Sequence, residues 1–88
     1  MTQIVKNHEL FTEAAIDDEI VVMRIDTGEF YELSGTAAAT WRLIDDSRDR
    51  SALVQALAEE FAADEASIVA DVDDFLRQLQ EMGFVSMG

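Results

Sequence analysis

Glu19-Ile20-Val21-Val22-Met23-Arg24-Ile25-Asp26-Thr27-Gly28-Glu29-Phe30-Tyr31-Glu32-Leu33-Ser34 is the stretch that decides the fold. Its first half is rich in β-branched side chains, which suit an extended, pleated backbone. Asp26-Thr27-Gly28 reads as a turn, because Gly28 takes the left-handed conformation that a three-residue hairpin loop needs. Phe30, Tyr31 and Leu33 make the returning strand. The pattern predicts strands over 19–25 and 29–33, with a weaker one around residues 10–14. Strand 19–25 is apolar on both faces. An antiparallel strand with one wet face alternates instead, so either both faces are covered or one is kept for a partner. Phe30 and Tyr31 are neighbours and point to opposite faces. If one fills the core, the other leaves an apolar spot beside the strand edge.

From Ser34 onward the period is helical. Ser34 is the expected N-cap, with Thr36 as competitor. Ala37, Trp41 and Ile44 fall on one stripe, and Asp45-Asp46-Ser47 ends the helix. A second helix is expected from Ser51, itself a candidate cap, with Leu53, Val54, Leu57 and Phe61 facing inward. Ala62-Ala63-Asp64 breaks it, and Asp64 caps a third helix. There Ile68, Val72, Phe75, Leu76, Leu79 and Met82 line one face, and Gly83 stops the helix as a C′ residue. The fold class is α+β, with two to three antiparallel N-terminal strands followed by three helices. No strand needs a long crossover. A small sheet against a three-helix cluster is the layout of a winged helix-turn-helix.

The 88 residues make one domain. With 49% hydrophobic residues and a mean hydropathy of +0.01, the chain builds a core and carries no apolar run of the ~18 residues that span a bilayer. The start, MTQIVKNHELFTEAA, lacks the basic-then-apolar order of a secretory signal. There is no cysteine, which removes disulfides, thiolate metal sites and a cysteine nucleophile and favours the cytoplasm. Six Lys and Arg stand against 19 Asp and Glu, a net charge of −13. Nucleic-acid affinity comes largely from cations meeting phosphates, and anionic membranes make the same demand. Neither is an expected partner. The acidity serves solubility, or it faces a basic partner.

Catalytic chemistry is hard to place. His8 is the only histidine and has no second ligand near it in sequence, so it reads as a surface residue. Ser34 and Ser51 are explained as helix caps, and no nucleophile elbow, Walker A loop or dinucleotide fingerprint is present. The acidic clusters Asp17-Asp18-Glu19, Asp45-Asp46, Glu59-Glu60 and Asp71 with Asp73-Asp74 lack calcium-loop spacing and read as solvated faces. No enzyme, metal or cofactor is expected. A winged-helix transcription factor is the alternative, but helix 51–61 would be its reader, and it carries Glu59 and Glu60 with no Lys or Arg.

A three-stranded sheet leaves two edges whose unpaired N–H and C=O groups can accept an extended peptide. A groove between strand 29–33 and helix 65–82 would have an apolar floor and an acidic lip, with Asp71, Asp74 and Gln78 flanking the helix stripe.

The hairpin from Val21 to Ser34 resembles that of the PqqD family. Thr36 to Asp45, with Trp41, is similar to the family's first helix, and 53–61 to its second. Asp71 to Leu76, with Leu79 and Gly83-Phe84-Val85, is similar to its closing helix and end. The resemblance covers about residues 16–86. It implies a non-catalytic recognition element for ribosomally made, post-translationally modified peptides. Such an element captures the leader segment of a precursor peptide as an extra strand and presents it to a partner enzyme: a radical-SAM enzyme, a leader peptidase or a cyclase. Carried over by position, the peptide-binding strand is Glu29, Phe30, Tyr31, Glu32 and Leu33, and the helix wall is Asp71, Asp74, Phe75 and Gln78. Ser34 stands where Asn is common, and the proline often seen before the return strand in quinone-pathway members is absent. The resemblance therefore points to the stand-alone type, as in lasso-peptide clusters.

Overall fold

The computed structural model describes residues 3–87. Strands β2 (Phe11–Ile16), β3 (Glu19–Arg24) and β4 (Phe30–Leu33) form one antiparallel sheet in the order β2-β3-β4. Asp17 turns the first hairpin at φ +55, a left-handed conformation that a short polar side chain tolerates. Gly28, at φ +76, turns the second, where its N–H donates to the Arg24 carbonyl at 2.8 Å. The expected loop of three residues is longer. β3 ends at Arg24 and β4 begins at Phe30, and Ile25 turns its N–H to the Leu10 carbonyl at 3.0 Å.

Pairing fixes the faces. Val22 stands opposite Tyr31 and Glu13, and Ile20 opposite Leu33 and Ala15. Residues directly opposite share a face, so Ile20, Val22 and Leu33 point inward and are buried. A second sheet was not legible in the sequence. β1 (Ile4–Lys6) pairs antiparallel with β5 (Val85–Met87) and ties the two ends of the described chain together. Three residues are too few to display a period of two.

Helices α1 (Gly35–Leu43), α2 (Arg50–Phe61) and α3 (Glu65–Glu81) follow the sheet. Ser34 has the extended backbone of an N-cap, but its side chain makes no capping bond. Asp49, not Ser51, caps α2. Its carboxylate accepts the Ala52 N–H at 2.8 Å, and Ser51 lies inside the helix. Helix α2 therefore includes Arg50, whose guanidinium is held by Asp73. Phe61, expected inside, is 46% exposed, because it is the last residue of α2 and the chain turns away at Ala62, φ +50. Asp64 occupies the cap of α3 without a side-chain bond. Gly83, at φ +82, follows the helix end, and there Arg24 donates to the Met82 carbonyl at 2.7 Å. One contiguous core joins Ile20, Val22 and Leu33 to Trp41, Ile44, Leu53, Leu57, Val72, Leu76 and Leu79, with Phe84 beneath the sheet.

Trp41 is the centre of that core, with no exposed surface. Its indole N–H donates to Glu13 at 3.0 Å, so the buried donor is satisfied. Phe11 and Phe84 meet its ring edge-on at 5.2 and 6.4 Å, and the Lys6 ammonium lies 4.2 Å from the ring centroid. Burial pushes the Lys6 pKa down, while Glu13, Asp46 and Asp45 oppose that.

Candidate functional site

Among the described residues strand β4 pairs only with β3, which leaves its other edge open. Antiparallel ladders alternate between residues that bond to the neighbour and residues that bond away from it. The Arg24 N–H donates to the Glu29 carbonyl at 2.8 Å. Glu29, Tyr31 and Leu33 are thereby turned toward β3. Phe30 and Glu32 present their N–H and C=O groups along the open edge.

Three residues past Leu33 the chain enters the wall of a pocket. It is a half-open cleft of about 170 Å³ between α1 and α3, lined by Thr36, Ala37, Thr40, Asp71, Val72 and Phe75. Small side chains on α1 make this space. Ala37 is half-buried, and the Thr40 hydroxyl donates to the Thr36 carbonyl at 2.7 Å, which leaves its methyl to line the wall. Val72 is the buried floor, Phe75 is half-buried, and Asp71 stands exposed at the lip.

The expected site residues divide between these features. Phe30, Tyr31, Glu32 and Leu33 form β4, and Glu29 immediately precedes it. Phe30 is 64% exposed on the outer face, while Tyr31 turns inward and meets Phe84 edge-on at 5.5 Å. Asp71 and Phe75 line the pocket. Asp74 and Gln78, one and two turns along α3 from the lip, do not, and Asp74 is bound by Arg77 at 2.8 Å. Sequence reasoning missed Thr36, Ala37 and Thr40. Their signal was a run of small residues at the start of a helix, which leaves a gap where its neighbour carries Val and Phe.

Charge around the site is predominantly negative. All six Lys and Arg are engaged within the molecule: Lys6 on Trp41, Arg24 with Asp26, Arg42 on the Asp18 carbonyl, Arg48 with Asp45, Arg50 with Asp73 and Arg77 with Asp74. Hydrogen bonds from Arg24 and Arg50 hold the Asp26 and Asp73 carboxyls below their usual range. Those from Ser47 and His8 do the same for Asp45 and Asp46. Among the described residues, no group of three or more His, Asp or Glu is placed to hold a metal ion. No helix there is long and apolar enough to cross a membrane.

The family model described as coenzyme PQQ synthesis protein D (PqqD) matches residues 19–85. The chain belongs to the PqqD family. The matched span takes in β3, β4, all three helices and the first residue of β5, and therefore both the open edge and the pocket. No curated protein matches the chain. Among solved structures, TbiB1 in complex with the TbiA(beta) leader peptide is similar at a TM-score of 0.81 and 26% identity, over 93% of each chain.

Proposed function

We propose that this PqqD-family chain is a non-catalytic recognition element, which binds the leader segment of a ribosomally made precursor peptide and delivers it to a modifying or processing enzyme. The observation that carries this reading is the open edge of β4, with the α1–α3 pocket beginning three residues further along the chain at Thr36, in a fold similar to one solved with a leader peptide. The leader adds a strand along Phe30 and Glu32, and an apolar side chain beyond the end of β4 drops into the pocket beside Val72 and Phe75. Glu29, Glu32 and Asp71 rim the path, with Asp74 and Gln78 further along α3, and they favour a leader carrying Lys or Arg. The arrangement is a winged helix-turn-helix, with β2-β3-β4 as the wing and α2 and α3 joined by the short turn 62–64. That architecture also serves DNA readers, but Arg50 on α2 is tied to Asp73, which leaves no free cation on that helix for phosphate. Its setting is the cytoplasm, where precursor peptides are made, and the partner enzyme is a leader peptidase, a cyclase or a radical-SAM enzyme.

Calorimetric titration of the chain with the leader half and the core half of its precursor peptide tests the reading. The leader is expected to bind with a one-to-one stoichiometry and the core half not at all. Binding to the core half alone, or to neither, contradicts it.

A further inference from the structure

The outer face of the β2-β3-β4 sheet breaks the rule for a solvated antiparallel sheet, whose wet side is polar. Register puts Met23 beside Phe30 on that face, Val21 one row along, and Ile16 opposite Glu19. Phe30 is 64% exposed, Ile16 59%, Ile25 58% and Met23 38%. Nothing in the described chain packs over them, because all three helices lie on the side of Ile20, Val22 and Leu33. The two-faced apolar character of β3 is thus not explained by the core. Contiguous exposed apolar surface with a polar rim marks an interaction site. Here the rim is acidic: Glu19 and Glu32 stand on the same face, with Asp17, Asp18 and Glu29 in the adjoining turns.

We infer that this outer face is the landing surface for the enzyme that acts on the bound peptide, and that the enzyme meets it with an apolar patch ringed by Lys and Arg. The inference rests on the peptide-carrier reading above. Charge selects this occupant over a second copy of the chain. In a two-fold dimer each acidic rim would meet its own image at a net charge of −13 per chain, and the one cation placed at that rim, Arg42, already donates to the Asp18 carbonyl of its own chain. Continuity supports it too. Phe30 and Glu32 belong both to this face and to the edge offered to the peptide. A guest strand adds a fourth row to the same face, and its outward side chains become part of what the enzyme touches. Peptide and enzyme then strengthen each other's binding reciprocally.

The test titrates the chain, with and without its precursor leader, into the purified enzyme that processes that precursor. The double variant Met23→Gln, Ile25→Gln alters exposed side chains outside β4. It is expected to bind leader as the parent does while its affinity for the enzyme falls about tenfold, the loss typical of removing central apolar contacts from an interface. Ile16→Gln is expected to act in the same direction. Leader should raise the parent's affinity for the enzyme, and added salt should lower it. Unchanged enzyme affinity in both variants overturns the inference, as does a concentration-dependent dimer, seen by sedimentation, that the double variant dissolves. Failure of the leader to bind the parent chain, measured separately, instead removes the carrier reading and this inference with it.

Discussion

At the scale of single residues, the pocket depends on what α1 does not carry. Ala37 faces Val72 and Phe75 across the gap, and a longer side chain there would fill that space. Ala37→Leu keeps helix propensity and adds apolar volume. The protein should therefore remain folded, with its melting temperature kept or raised, while leader affinity falls about tenfold through loss of one buried apolar anchor. Calorimetry with parallel thermal melts checks this. Unaltered affinity would remove the pocket from the binding path. The run Thr36-Ala37-Ala38-Ala39-Thr40 was visible in the sequence, but only as a good helix. That its small side chains line a void depends on Val72 and Phe75 of α3, more than thirty residues away. No local pattern reports such a pairing. Trp41 was the easier residue: an aromatic on a helical stripe is core, and it is wholly buried.

At the scale of elements, β4 has one side paired with β3 and one side open, and proline separates them. Proline lacks an N–H and is tolerated on edge strands where that group faces outward. The Glu32 N–H points along the open edge, whereas that of Tyr31 points to β3. Glu32→Pro should fold and yet lose leader binding about tenfold, since one backbone bond of roughly 1 kcal/mol goes and the ring obstructs the guest. Tyr31→Pro should break the β3–β4 ladder and destabilise the fold by several kcal/mol, about the cost of proline in a regular element interior. Circular dichroism and leader titration of the two variants separate these outcomes, and equal loss of fold in both would show that the edge is not free. The hairpin and the three helices were legible because each is long enough to show its period. The β1–β5 pair was not, since three-residue strands are fixed by closure of the chain ends rather than by pattern. The cap of α2 was misread for a related reason. Asp49 and Ser51 are both capping residues, and only the position of the first turn on the core decides between them.

At the scale of the molecule, electrostatics opposes compactness at neutral pH. Most of the 19 carboxylates have no basic partner among the described residues, and their mutual repulsion weakens as the net charge shrinks toward the isoelectric point near 4.1. Stability should rise as the pH is lowered from 7 toward about 5, and added salt at pH 7 should raise it too. Four carboxyls act the other way. Asp26, Asp45, Asp46 and Asp73 are held below the ordinary value of 3.8 by hydrogen bonds made in the folded state. Their stabilisation is complete above 3.8 and is lost as the pH falls below it through their depressed values. Melting temperature should therefore pass through a maximum between neutrality and pH 4 and drop in stronger acid. A monotonic fall from pH 7 downward would mean that the ion pairs outweigh the repulsion. The single sign of the free charge was the one functional property fully present in the composition. Its effect comes from the fold, which engages every cation internally and leaves acids around both the open edge of β4 and the outer sheet face.

Amide hydrogen exchange of β4, followed by NMR with and without the leader peptide, addresses strand addition most directly. The Phe30 and Glu32 amides should exchange readily in the free protein and become strongly protected on binding, while that of Tyr31, already bonded to β3, changes little. If the leader binds and Phe30 and Glu32 exchange as fast as before, the guest does not lie along β4 and the account is wrong.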